Sequence, residues 1–560
     1  MKKSIRKALA IACALCLAFC VCALVACNRE NEVETTAPDN TEAPAEVTTD
    51  TPTAEGSTGI DTEVTTETVA DETTVTEPAS NEATSDETTE PETTEAETLP
   101  DDKPVDPAVI TFCDTPLNDK YIKVSNAANY EVVDDADMGK VLKLSVKTAT
   151  KTADPNVQIN YAVYMELAGL EPVSPKNAGY AVLLVKLEGV VGANLNVTSF
   201  AKIDGKTQNV KADATYDTKN TGWQYIMVPL FADEADGSLT AFRFDFVDKP
   251  SKVGETVYLK SVSFVDSREE AIAMMGESLL NIGTATVIIP GLTKEYTFLH
   301  VTDTHVSSFS DADVASWTPS RVTYNTNRRN AFMANGIYAE ERLPLFFSYA
   351  NQIGADGMFL TGDLIDFPSE KNVSMLYANA TSLTGTPIFN LGNHDWNYSD
   401  DYMTPNAVAT YKPLFASLCG GDTDLSVVEY DEFIIAAVDN SGDVVTDATV
   451  AKFFALYEKN KPIILLLHVP LHADTLAPDV KAAWGGRNIT MGIGAMGNDW
   501  QSVRDFYTSV CLDENSPVVA VFAGHVHFNH EDAFPNGVMQ YVTSAGYFGD
   551  CRLVTIKGEN

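Results

Sequence analysis

The sequence predicts an α/β C-terminal half, an all-β module ahead of it, and a disordered acidic linker ahead of both. Three observations carry that reading. Residues 28–104 are built from Thr, Glu, Asp, Ala and Pro, without an aromatic side chain. Residues 106–267 are short alternating or apolar runs separated by turn residues. From about Thr286, apolar runs of five or six residues alternate with helical stretches, and all eight histidines lie at or after His300.

At 560 residues the chain exceeds one core, so two or more domains are expected. The net charge is −41, about half of it from residues 28–104. An acidic surface repels phosphate backbones, so no nucleic-acid binding is expected. A basic head (Lys2, Lys3, Arg6, Lys7) precedes an apolar stretch from Ala8 to Ala26, the layout of an export signal. Its end, Leu24-Val25-Ala26-Cys27, resembles the lipobox of bacterial lipoproteins. That resemblance implies a signal peptide over 1–27 and a lipid on Cys27. An uncleaved span is the alternative, because 19 apolar residues could cross a bilayer. On the first reading the protein is lipid-anchored at the extracytoplasmic face of the cell membrane.

Residues 28–104 cannot bury enough surface to offset chain entropy, so this Thr/Glu/Pro-rich linker should be disordered. Like charges keep it extended, as a stalk or a solubilising spacer. Cys113, Cys419, Cys511 and Cys551 show no metal-ligand spacing and read as isolated packing residues.

Residues 105–267 carry "KVLKLSVK", "VQINYAVYMEL", "GYAVLLVKLEG", "LNVTSFAKI", "WQYIMVPL", "AFRFDFV" and "VYLKSVSFV", a β-sandwich signature. Gly222 to Val228, Phe242-Arg243-Phe244-Asp245 and Tyr258 to Phe264 resemble the tail of galactose-binding-like jelly rolls. The resemblance implies cell-wall carbohydrate as a partner; a structural spacer is the other reading. Trp223 and Tyr225 are either a stacking platform or aromatics buried in a core strand. Residues 268–285 read as a helical connector, and 286–560 as the α/β domain. Its expected helical stretches are 329–352, 369–383, 446–459 and 499–511.

In that half, five apolar runs end directly on polar residues. They are Asp303-Thr304-His305, Gly362-Asp363-Leu364-Ile365-Asp366, Gly392-Asn393-His394-Asp395, His468, and Gly524-His525-Val526-His527. Chemistry in open α/β sheets collects beyond the carboxyl ends of strands. Hydrolysing a phosphate ester needs a nucleophile at neutral pH and a sink for phosphoryl charge. Two cations roughly 3.5–4 Å apart supply both. Asp-x-His and His-x-His place two side chains on one face of an extended segment. The glycines before Asp363, Asn393 and His525 let the backbone turn sharply.

The ordered set of five blocks, from Asp303 to His527, resembles the calcineurin-like metallophosphoesterases. The likeness implies a metallophosphoesterase β-sandwich flanked by helices, that is, an α/β sandwich. It implies that Asp303, His305 and His527 hold one metal and Asn393, His468 and His525 the other, with Asp363 bridging. His394 would protonate the leaving oxygen, Asp395 would orient the His394 ring, and Asp366 would accept from a ligand. Oxygen and imidazole ligands suit two divalent transition-metal ions among Mn, Fe, Zn, Co and Ni. Purple acid phosphatases carry tyrosine where Asp366 stands, so that branch is disfavoured.

His300 reads as a satisfied core histidine and His530 as a surface one. His472, Arg321, Arg328, Arg329, Arg487 and Trp396 are further residues that could line the site. The expected activity is hydrolysis of a small phosphorylated substrate, a phosphate mono- or diester, by an exported, membrane-anchored protein. The competing class is an envelope carbohydrate-binding lipoprotein whose hydrolase half is silent.

Overall fold

The computed structural model describes residues 106–112, 118–150, 152–231 and 236–559. The expected signal peptide (1–27) with Cys27, the linker (28–104) and Cys113 lie outside the described residues. Among the described residues no helix is long and apolar enough to cross a membrane. The chain divides into two compact units, with the boundary between Met275 and Gly276.

The first unit is two antiparallel sheets. Its strands are β1 (Val109–Ile110), β2 (Ile122–Val124), β3 (Ala128–Asp135), β4 (Gly139–Val146), β5 (Val157–Ile159) and β6 (Tyr180–Glu188). β7 (Asn194–Ile203), β8 (Lys206–Thr215), β9 (Trp223–Pro229), β10 (Gly237–Asp245) and β11 (Thr256–Val265) complete the set. One sheet runs β3-β4-β11-β6-β9 with β1 on β11; the other runs β2-β5-β10-β7-β8. Side chains alternate along each strand, and the inward set, including Leu183, Phe242, Phe244 and Leu259, forms one core.

One local expectation fails here and one strand goes unread. "VQINYAVYMEL" is strand only to Ile159, because Asn160 caps a helix over Tyr161–Ala168, accepting from the Val163 N–H at 3.4 Å. β8 is not among the runs read as strands: its first four residues are polar and exposed, and its alternation is confined to Val210, Ala212 and Ala214, as suits an edge strand. Trp223 and Tyr225 are half-buried on the outer face of β9 rather than in the core. One register row crosses that face as Glu131, Lys143, Tyr258, Lys186 and Trp223.

The second unit is an α/β sandwich. β12 (Asn281–Ile288), β13 (Tyr296–Val301), β14 (Gly357–Thr361), β15 (Thr386–Asn390) and β22 (Asp550–Lys557) form one sheet, in the order β12-β22-β13-β14-β15. β16 (Leu425–Glu429), β17 (Ile434–Val438), β18 (Ile463–Leu466), β19 (Val518–Ala523), β20 (His530–Ala533) and β21 (Met539–Val542) form the other, in the order β16-β17-β18-β19-β21-β20. β12 starts inside the stretch read as connector, so the connector's α-helix is only Arg268–Met275. The expected helix over 329–352 is two helices, Pro319–Ala331 and Ala339–Gln352. Asn335 and Gly336, both at positive φ, lie between them. Helices also occur at Glu370–Ser382, Asp447–Ala455, Leu476–Ala483 and Gln501–Tyr507.

β14, β17 and β18 are buried along their whole length, which explains why they read as unbroken apolar runs. Phe359 on β14 stacks on Phe298 of β13 at 4.6 Å and meets Phe522 of β19 in the opposite sheet at 5.3 Å. Phe453, Val480 and Phe506 from the helices cover the outer face of the second sheet. β13, β14 and β15 are mutually parallel, as are β17, β18, β19 and β21. The five motifs therefore follow the carboxyl ends of five strands: β13, β14 and β15 in one sheet, β18 and β19 in the other.

Phe359→Ala should cost about 3–5 kcal/mol of stability, the range for deleting a buried phenyl ring. Urea unfolding of the purified chain, compared with wild type, measures that loss.

Candidate metal centre

Each strand stops where its last apolar residue leaves the sandwich, and the backbone then turns at once. Asp303, His305, Asp363, His525 and His527 all have positive φ, between 47 and 69°. The same-face device expected for Asp-x-His and His-x-His is thus wrong in its cause. These residues lie past the strands, in left-handed conformations that Asp and His tolerate better than branched side chains. Such conformations persist only where the surroundings over-determine them. At Gly362, φ is 79° and the turn itself requires glycine. At Gly392 and Gly524 φ is not in that region; a Cβ there would strike Asp363 and the Thr302–Asp303 pair.

All seven expected ligands converge. Asp303 Oδ2 accepts from the Thr302 hydroxyl at 2.6 Å and from the His525 N–H at 2.7 Å. Its Oδ1 is buried without a hydrogen-bond partner, 3.2 Å from His527 Nε2 and 3.7 Å from His305 Nε2. Asp363 Oδ1 accepts from the His394 N–H at 2.7 Å. Its Oδ2 lies 3.8 Å from His305 Nε2 and 3.3 Å from His468 Nε2, between the two histidine sets. His468 Nε2 is 3.2 Å from Asn393 Oδ1 and 3.1 Å from His525 Nδ1. His305 Nε2 and His527 Nε2 face each other at 3.1 Å.

This arrangement fits two cations. Asp303 and Asp363 are buried carboxylates with no Lys or Arg against them among the described ion pairs. Two unneutralised buried charges are costly unless a cation joins them. Burial raises the Asp303 carboxyl, but the adjacent His527 imidazole holds it well below the usual range. Burial raises Asp363 too, and His468 and His394 overcome it downward. Burial lowers His305 to about 4 and His525 to about 3, which leaves both imidazoles neutral and able to ligate. Burial would lower His468, yet Asp363 draws it up to about 10: without another cation, a proton fills that place.

The supporting contacts revise two roles. Asp395 does not orient His394. Its Oδ2 accepts the Asp363 N–H at 2.9 Å and the Gly392 N–H at 2.7 Å, and its Oδ1 the Ile365 N–H at 3.0 Å. Asp395 buckles the second and third motif loops together, because its side chain points back along its own turn. The His394 ring instead meets Asp366, with Nδ1 3.0 Å from Oδ1. Asp366 also faces His305 Nδ1 at 3.2 Å and takes both a 2.8 Å and a 2.5 Å bond from Arg328. Burial raises Asp366, and the Arg328 guanidinium more than reverses this.

Arg328 is therefore part of the site's support, whereas Arg321 pairs with Asp400 at 2.6 Å and Arg329 with Glu340 at 2.6 Å. Trp396 is buried and donates to Ser441, so it lines nothing. His300 is a core residue, held by Thr361 at 2.7 Å and Thr543 at 2.8 Å. His472 stays outside the ligand groups, bonded to Thr490 at 3.2 Å. His530 is not a free surface residue: it lies between Asp479 (3.2 Å) and Asp532 (3.0 Å).

Sequence reasoning missed four neighbours. Phe332 stacks on His305 at 4.3 Å and 3°. Tyr547 meets His305 and His527 edge-on at 6.0 and 5.6 Å. Trp484 meets His527 at 5.5 Å. The Tyr402 hydroxyl accepts from Asn393 Nδ2 at 3.1 Å, turning Oδ1 toward His468. Only Phe332 had a signal, lying one helical turn beyond Arg328.

A family sequence model described as calcineurin-like phosphoesterase matches residues 296–529. No curated protein matches. Among solved structures, a dimetal phosphatase from Danio rerio is 12% identical, covering 45% of this chain and 87% of its own, with a TM-score of 0.28. A protein from Thermus thermophilus is 12% identical, covering 46% and 91%, with a TM-score of 0.26. A xylan-binding domain from Paenibacillus barcinonensis is 14% identical, covering 26% and 87%, with a TM-score of 0.17.

Chelation of bound ions should lower the Tm by roughly 5–10 °C, as expected for ligands near a hundred times their Kd on a domain this size. Asp363→Asn should bind fewer than two ions per chain by elemental analysis, while Asp400→Asn should bind the wild-type number.

Proposed function

We propose that this chain, whose residues 296–529 match the calcineurin-like phosphoesterase family model, is an exported, membrane-anchored phosphoesterase. It would hydrolyse phosphate mono- or diesters at a pair of divalent transition-metal ions. The observation that carries the reading is the pair of buried carboxylates, Asp303 and Asp363, ringed by imidazoles and matched by no Lys or Arg among the described ion pairs.

When bound, the ions supply an activated water and a sink for charge on the phosphoryl oxygens. Asp303, His305 and His527 would hold one, Asn393, His468 and His525 the other, and Asp363 both. The centre is closed on most sides, since Asp303, His305 and His468 are at most 1% exposed. It is open at His394 (28%) and His527 (19%), so the ester enters there. Asp366 fixes the His394 ring through Nδ1, which leaves Nε2 to carry the proton given to the leaving oxygen. Arg328 keeps Asp366 ionised for that purpose.

Purified protein with added Mn²⁺ should turn over an aryl phosphomonoester or phosphodiester. His394→Ala should lower kcat about 10²–10⁴-fold with both ions still bound. Full activity in that variant removes the assignment of His394, and no turnover of any ester removes the hydrolase reading.

The β-sandwich unit is proposed to hold the chain against cell-wall carbohydrate. Trp223, Tyr225 and Tyr258 on its outer face support this, because flat rings beside polar groups suit sugar faces. Retention of the full chain on purified cell wall should fall at least about threefold in Trp223→Ala, the size of one lost ring contact; unchanged retention makes the unit a spacer.

A further inference from the structure

The open side of the metal centre is bounded by rings. Trp484 meets the partly exposed His527 imidazole edge-on at 5.5 Å and 74°. Its Nε1–H donates to the Val526 carbonyl at 3.1 Å, which pins the indole against the His525-Val526-His527 turn. Tyr547 meets the same imidazole at 5.6 Å, and Phe548 lies against Tyr547 at 4.1 Å. Phe548 is 42% exposed. A lone exposed ring is ordinary, but the buried Tyr547 links Phe548 to the His527 imidazole that the half-buried Trp484 also meets, so the rings form one apolar border beside it.

The basic side chains on the segments that follow the first and third motifs are already paired. Arg328 is held by Asp366, Arg321 by Asp400, Arg329 by Glu340 and Lys412 by Asp439. None of these four stands ready for a second anionic group on the substrate. Arg487, three residues past Trp484, makes no ion pair among the described residues, so it is the natural control for the opposite outcome.

Resting on the phosphoesterase reading above, we infer that the substrate carries one phosphoryl group and an aromatic substituent that lies on Trp484 and on Phe548, which the buried Tyr547 backs. The phosphoryl oxygens go to the ions, and the ring lies across the edge of His527. Apolar contact and ring–ring geometry supply the selectivity, while nucleoside polyphosphates and sugar bisphosphates find Arg321, Arg328, Arg329 and Lys412 already paired.

The test separates binding from chemistry. Phenylphosphonate and methylphosphonate share a phosphoryl group, differ in the ring, and are not hydrolysed. Calorimetry on the Mn²⁺-loaded full chain should show phenylphosphonate binding about tenfold tighter. Trp484→Ala and Phe548→Ala should each shrink that ratio roughly three- to tenfold, the size of one lost ring contact. Trp484→Phe should restore part of it. Equal affinities in the wild type, or a ratio untouched by both alanine variants, overturns the inference. So does inorganic pyrophosphate outbinding phenylphosphonate through Arg487, seen as a loss confined to pyrophosphate in Arg487→Ala. Because the readout is binding, absence of ester turnover counts against the hydrolase reading alone.

Discussion

Everything at the carboxyl end of the second unit is arranged around two negative charges buried where no Lys or Arg meets them. Asp303 and Asp363 are almost fully shielded from solvent. Isolated carboxylates in such surroundings would cost several kcal/mol each. Four imidazoles and one amide oxygen then gather around them. Such a set is stable when cations occupy the middle and strained when they do not.

That constraint explains the backbone. Five of the seven candidate ligands sit at positive φ, a conformation usually left to glycine. The left-handed turns bring side chains back over the strand ends instead of letting them alternate away from the sheet. They are held by bonds to the carboxylates themselves. His525 donates to Asp303, His394 to Asp363, and Asp395 takes three N–H groups from two motif loops. The ligands thus build the loops that position the ligands.

A second layer sets the accessible side. Arg328 neutralises Asp366, and Asp366 joins the His305 imidazole to that of His394. Phe332 one turn later covers the face of His305. One helix and its end therefore close the His305 side and leave His394 and His527 as the entrance.

The sequence alone determined the order of the motifs, the α/β class and the seven residues that converge at the strand ends as candidate metal ligands. Ligand identity is carried by residue type, and apolar runs that end on polar residues reveal strand ends without a structure. Sandwich strands in the first unit were legible where long apolar side chains alternate, and missed at the edge strand β8, where only Val210 and two alanines turn inward and the rest is open to water. Only the tertiary structure decided which carboxylate serves which imidazole. Asp366 and Asp395 lie three and two residues from Asp363 and Asn393 respectively, and both could reach His394 on paper. The turn at each motif sends Asp395 into the backbone and Asp366 to the ring. Phe332, Trp484 and Tyr547 come from segments far apart in sequence, and long-range packing leaves no periodic trace in the chain.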